Sequence, residues 1–221
     1  MQYNIFDIIG PIMIGPSSSH TAGAVRIGRV ARQIGENDVE KVDFILHGSF
    51  AKTYRGHGTD RALVAGLLGF QPDDERIRKA FDYAKKEGLE YQFLFEDLGD
   101  VHPNTAKIVM YKKNGEISTV TGSSIGGGNI RIIDLDGVKV DLNFENPTIV
   151  LKYIDKRGVI AFLSQTLYDR GYNIENLSTV RDREIATVFC EIDRYLDERT
   201  KEILFDDERF IFARYLSKRF R

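Results

Sequence analysis

Two rhythms of apolar and polar residues run along this 221-residue chain, and the pattern restarts near residue 148. Val25, Gly28, Val30, Ala31 and Ile34 recur at helical spacing and predict a helix with a face of small residues. Val39–Phe50 reads as a strand, with Val42, Phe44 and Leu46 on one side. A second helix is expected over Thr59–Leu68, with Asp60 in its first turn. A third runs from Pro72-Asp73-Asp74-Glu75 to Glu87 and is closed by Gly88. Glu90–Glu96 reads as a strand. From Lys107 to Leu142 the pattern is that of hairpins, punctuated by Asn114-Gly115 and Asp136-Gly137.

Asn143–Pro147 reads as a linker. After it come a buried strand over Thr148–Ile154 and an amphipathic helix over Gly158–Asp169. That helix turns Val159, Phe162, Leu163, Thr166 and Leu167 inward and is ended by Gly171. Strands follow over Asn173–Arg181 and Ile185–Ile192, then a short helix over Glu198–Leu204 and a strand over Phe210–Leu216. The order βαββαβ is that of the ferredoxin-like split unit. The expected fold class is α+β: a mixed α/β domain over residues 1–143 and a second domain over 147–221.

Composition narrows the function classes. A net charge of -2 with interspersed signs argues against a nucleic-acid surface. The apolar run Ile5–Ile14 is interrupted by Asp7 and Pro11, with no basic residue before it, so neither a signal peptide nor a membrane span is expected. The single cysteine, Cys190, excludes an internal disulfide framework and suits a reducing cytoplasm. It also leaves this chain without the several thiolates that a zinc or iron–sulfur site usually needs, so no metal site is expected in it.

The candidate chemistry centres on Gly15-Pro16-Ser17-Ser18-Ser19-His20-Thr21-Ala22-Gly23, just before the first helix. Free N–H groups at a helix start favour a carboxylate or phosphate, and the imidazole beside them could move a proton near neutrality. The same residues also read as a serine cap after a proline turn. The four histidines, His20, His47, His57 and His102, all lie beside Ser, Thr, Asn or Gly rather than in an apolar stripe. Converging, they would supply proton transfer and hydrogen bonds to a small polar anion. Gly126-Gly127-Gly128-Asn129 reads either as a close approach to a ligand or as a tight hairpin turn. No Walker loop, His-Glu-x-x-His, Gly-x-Ser-x-Gly or Cys-x-x-Cys is present, so any difficult chemical step needs help from elsewhere.

Five motifs occur in order: Ser17–Gly23, His47-Gly48-Ser49-Phe50, Gly56-His57-Gly58-Thr59-Asp60, His102-Pro103-Asn104-Thr105 and Ser124-Ile125-Gly126-Gly127-Gly128. Together they resemble the beta subunit of the bacterial iron–sulfur-dependent L-serine dehydratases. The second half resembles an ACT regulatory domain. The resemblance implies dehydration of L-serine to pyruvate and ammonia, with a [4Fe–4S] cluster held by a separate, cysteine-rich alpha subunit acting as Lewis acid. It implies catalytic roles for His57, His102 and His20. It implies a substrate-binding wall of Ser17, Ser18, Ser19, Thr21, Thr59, Asp60, Asn104, Gly126, Gly127 and Gly128, with His47 structural at the strand end.

ACT domains usually carry Asp-x-Pro-Gly at the strand-to-helix turn; here it is Asp155-Lys156-Arg157-Gly158. Gly158, Val159, Ile160 and Asn173 are the implied effector-binding residues, and self-association through this half is expected. The rival reading is a non-catalytic amino-acid sensor.

Overall fold

The computed structural model describes residues 12–36 and 38–218. Most of the apolar run Ile5–Ile14 and the last residues of the basic stretch Arg214–Arg221 lie outside them. The chain divides into two compact units, with the boundary between Asn143 and Phe144. No helix among the described residues is long and apolar enough to cross a membrane.

The first unit opens with a π-helical turn, Ser18–Gly23, which runs straight into α1 (Ala24–Gly35). It continues with β1 (Val39–Leu46), α2 (Gly48–Thr53), α3 (Thr59–Leu67), a 3₁₀ turn (Glu75–Lys79) and α4 (Ala80–Glu87). The strands β2 (Glu90–Phe95), β3 (Thr105–Lys112), β4 (Ile117–Gly126), β5 (Asn129–Leu135) and β6 (Val138–Leu142) complete it. The six strands form one sheet in the order β2-β1-β3-β4-β5-β6. Only β1 and β2 pair in parallel, because the helices α2 to α4 form the crossover between them.

Helix α1 is buried along almost its whole length, and Ala62–Leu67 of α3 are buried on every side. The stretch Ala62–Leu67 carries no polar side chain and so must lie inside. The two helices approach closely because glycines face each other. A Cβ on Gly28 would press on the Leu63 carbonyl, and one on Gly66 would sit 3.0 Å from the Arg29 nitrogen.

Two expectations are corrected here. The strand expected over Val39–Phe50 ends at Leu46, and Gly48–Thr53 is helical. Gly48 takes φ +54°, and any Cβ there would lie 2.7 Å from the Pro103 carbonyl oxygen. Chain packing from a distant loop therefore breaks the strand. The third helix also starts as a 3₁₀ turn capped by Asp74, which accepts from the Arg76 N–H at 2.9 Å, and becomes α-helical only at Ala80.

The turns follow their dipeptides. Asp136 and Gly137, at φ +50° and +80°, join β5 to β6, and Gly115 at +84° lies in the β3–β4 turn. Gly127 and Gly128, at +60° and +78°, form the two-residue turn between Gly126 and its partner Asn129. A primed hairpin turn needs positive φ at both central residues.

The second unit contains β7 (Thr148–Ile154), α5 (Val159–Asp169), β8 (Ile174–Asp182), β9 (Ile185–Ile192), α6 (Glu198–Phe205) and β10 (Phe210–Leu216). Its antiparallel sheet runs β10-β7-β9-β8. Ile149, Leu151 and Tyr153 of β7 alternate toward the same core as Val188, Cys190 and Ile192 of β9. Val159, Leu163 and Leu167, at four-residue spacing on α5, close that core; Phe162 and Thr166 are half-buried beside them.

Candidate functional site

The centre of the site is His20, which is only 8% exposed. Its position follows from the turn that carries it. Ser17, in extended conformation, accepts the His20 backbone N–H on its hydroxyl at 3.2 Å, and its carbonyl accepts the Thr21 N–H at 2.8 Å. These first N–H groups, expected to be open to an anion, are thus closed by Ser17. The cap reading holds for the segment. A π turn merging into an α-helix is a distortion often found at functional sites.

The imidazole is gripped at both nitrogens. Nδ1 lies 3.2 Å from the Ser19 hydroxyl and 3.5 Å from that of Ser17, while Nε2 lies 3.1 Å from the Ser49 hydroxyl. The His57 ring packs edge-on against it with centroids 4.7 Å apart, and the Phe50 ring does so at 5.3 Å. Thr21 is buried and donates its hydroxyl to the His57 carbonyl at 3.2 Å. His57 itself is exposed. Burial, and next the neighbouring His57, push the His20 imidazole below its ordinary range and keep it neutral.

This shift fixes a sign for pH dependence. In the unfolded chain His20 takes a proton near its ordinary value of 6.5; in the folded chain it does so only at lower pH. The unfolded state therefore binds more protons in that interval, and stability falls as pH drops through it. The melting temperature should rise as pH is raised toward 6.5 and level off above it. His20→Gln should flatten that rise; an unchanged slope in the variant would contradict the assignment.

The loop His102–Asn104 reaches the site through its backbone. The Pro103 carbonyl accepts the Ser49 N–H at 2.8 Å and so holds the residue that holds His20. The His102 ring is exposed and accepts the Asn104 N–H at 3.1 Å on Nδ1. The Asn104 carbonyl in turn accepts the Ser124 N–H at 2.9 Å. Strand β4 backs the π turn so tightly that a Cβ on Gly23 would lie 2.7 Å from that of Ser124. The Ser124 hydroxyl is buried and has no partner among the described residues, and the same holds for that of Thr59. The Arg26 guanidinium, from α1, donates to the Gly128 carbonyl and ties down the glycine hairpin.

Other expected wall residues are placed differently. Ser18 is half-buried on the turn. Thr59 is fully buried and Asp60 only 9% exposed, so both face the start of α3 rather than open surface. Desolvation chiefly raises the Asp60 carboxyl, against the Arg61 N–H it accepts at 2.8 Å. His47 accepts the Leu98 N–H at 3.1 Å on Nδ1 and lies 3.5 Å from the Asp97 carboxylate, away from the other rings. Sequence reasoning missed Ser49 as a site residue. Its signal was its place in His47-Gly48-Ser49-Phe50, a motif read for its histidine alone.

In the second unit, Gly158 takes φ +94° at the start of α5, with open space where a side chain would be. Val159 is buried and Ile160 half-buried behind it. Asn173 is exposed, and its amide donates to the Glu175 carboxylate at 3.1 Å.

The donor set does not fit an iron–sulfur cluster. The sole cysteine, Cys190, is inside β9, where burial and Glu191 push its thiol up to about 12, far from the thiolate that ligation needs. Among the described residues, no three His, Cys, Asp or Glu side chains group together.

Comparison with known proteins gives the context for this arrangement. Residues 4–92 match the family described as serine dehydratase beta chain. Over 218 residues the chain is 49% identical to the L-serine dehydratase beta chain of Peptoniphilus asaccharolyticus, spanning 97% of this chain and 98% of that protein. The chain belongs to the L-serine dehydratase beta-chain family. A second member, the probable L-serine dehydratase beta chain of Bacillus subtilis (strain 168), is 45% identical over 201 residues, or 90% of this chain and 91% of that one. The Streptomyces coelicolor protein named L-serine dehydratase is 33% identical over 184 residues, which are 72% of this chain but only 39% of that protein.

Proposed function

We propose that this chain is the beta subunit of a two-chain L-serine ammonia-lyase. It converts L-serine to pyruvate and ammonia only when joined to a cysteine-rich alpha subunit that holds a [4Fe–4S] cluster. The observation that carries this reading is the His20–His57 pair, built from separate motifs in a chain that lacks a ligand set of its own. The match to the Streptomyces coelicolor enzyme supports the division of labour, since most of that longer protein has no counterpart here. When bound in the partner, the cluster would supply Lewis acidity toward the substrate.

The chain's own residues handle the proton. Dehydration takes a proton from Cα and the hydroxyl from Cβ as water; the enamine left behind tautomerises to the imine, which water hydrolyses to pyruvate and ammonia. His57, exposed at the site, accepts the Cα proton. His20 fixes the orientation of that ring from behind, and because burial keeps His20 neutral, the charge gained by His57 meets no second imidazolium. Ser17, Ser19 and Ser49 hold His20 in place. His102, exposed on the loop that anchors Ser49, orients substrate. The second unit is read as an ACT domain that pairs with a second copy and offers the Gly158 turn and Asn173 to an amino-acid effector. The single buried cysteine is in keeping with a cytoplasmic protein.

Anaerobic reconstitution tests this directly. The chain is mixed with a candidate cysteine-rich partner, iron and sulfide, and pyruvate is followed after adding L-serine. Pyruvate should form only with both chains present. No pyruvate from an intact, cluster-loaded mixture would refute the lyase reading and leave the amino-acid sensor.

A further inference from the structure

His57 faces two ways. One side of its ring meets His20, and its other surroundings are a cleft of about 380 Å³ lined with Thr21, Gly58, Arg61, Ile77 and Arg78. Two arginines thus line the same cleft as His57. Arg61 feels the charge of the adjacent Asp60 carboxylate, but among the described residues neither arginine closes an ion pair. Asp74, which caps the 3₁₀ turn carrying Arg78, is taken by Arg76 at 2.5 Å, and the exposed Glu75 forms no ion pair with Arg78. Asp60, next to Arg61, is buried and spends one oxygen on a backbone N–H. Arg61 is not loose, however: its guanidinium lies over the Phe81 ring at 5.8 Å. Gly58 stands at φ +70° with open space where a side chain would be, so the approach to the cleft is clear.

We propose that Arg61 and Arg78 form the carboxylate subsite of this enzyme and hold the α-carboxylate of L-serine against His57. The inference rests on the lyase reading above and adds the residues that select the substrate. Arginine suits the task because its planar fork meets a carboxylate with two parallel hydrogen bonds. The chemistry also fits, because the carboxylate carbon is bonded to Cα. A carboxylate held by the arginines therefore brings Cα, one bond from the carboxylate carbon, and the proton it carries toward the imidazole that takes it. A neutral isostere such as L-serinamide gains nothing from two cations and would be rejected.

The test uses the reconstituted two-chain complex with Arg61→Gln, Arg78→Gln, the double variant and Arg61→Lys. Both arginines are exposed, so the substitutions should leave folding intact. Each Gln variant should raise KM for L-serine by about 10- to 100-fold, with kcat within about threefold, as loss of a charge-assisted hydrogen bond in ground and transition state alike requires. Arg61→Lys should fall between wild type and Arg61→Gln. In the double variant, L-serine should lose its advantage over L-serinamide. An unchanged KM in assembled complex would overturn the proposal. So would weaker association of the two chains with a normal KM in what still assembles, because the anion would then be an acidic side chain of the partner. Absence of turnover by the wild-type pair would sink the lyase reading and this subsite with it, whereas wild-type turnover with indifferent arginine variants would sink the subsite alone.

Discussion

His57→Ala is expected to lower kcat of the reconstituted complex by about 10²–10⁴-fold, the usual contribution of a positioned acid–base group. The chain should still fold, bind its partner and bind L-serine. That expectation follows from exposure: the His57 ring contributes one edge contact to His20 and fills no core volume. Its backbone carbonyl, which receives the Thr21 hydroxyl, survives the substitution. One further readout separates chemistry from mere structure. Added imidazole should restore part of the lost rate. The two arginines that line its cleft should keep KM within a fewfold of wild type. Turnover near the wild-type rate would remove His57 from the mechanism. His102→Ala offers the contrast, because among the described residues its ring holds the Asn104 N–H and does not meet His20. A larger loss there than in His57→Ala would reverse the roles assigned to the two exposed imidazoles.

The elements of this chain were legible in its sequence wherever local chemistry decides them. Asp136-Gly137 turns because both residues can take positive φ, and Leu163 and Leu167 share a face because four residues bring a helix round. The end of β1 was not legible. Apolar spacing carries on from Leu46 to Phe50, yet the Pro103 carbonyl presses on Gly48 and sends the chain into α2. The π turn was hidden for a related reason. Ser17–Gly23 has no apolar period, and what shapes it is the Ser17 cap, the buried Thr21 and the wall of β4 behind Gly23. The identity of the site's residues was visible in the motifs, but their meeting was not. His20 and Ser49 touch across 29 residues of sequence, with Ser49 held by the Pro103 carbonyl, and no spacing rule states that contact. Thr59 and Asp60 lie in a motif that looks exposed and polar, and packing of α3 buries them.

The seam between α1 and α3 makes Gly66→Ala a damaging change, because the added Cβ meets backbone alone. Two effects oppose each other. Alanine gains about 1 kcal/mol over glycine in a helix interior. Against it, the new Cβ would lie 2.9 Å from the Val25 carbonyl carbon and 3.0 Å from the Arg29 nitrogen, with the Val25 oxygen closer still. All three atoms are backbone, so no side chain can turn aside and α1 must move as a body. Overpacking of this kind costs about 1–3 kcal/mol, occasionally more, and the absence of any flexible neighbour puts this site at the upper end. The net loss should be about 2 kcal/mol, a fall in melting temperature of about 4–8 °C. The effect should carry into function, because α1 continues without a break from the turn that holds His20. A displacement of about 1 Å at a catalytic constellation can cost about 10²-fold in rate. Gly56→Ala is the matching control: its Cβ would meet only the Thr53 carbonyl oxygen at 3.8 Å, and stability should stay within about 0.5 kcal/mol. A Gly66→Ala chain as stable as wild type would show that α1 and α3 can part without loss. Full activity with lowered stability would show that His20 is held by its serines and not by the helix behind it.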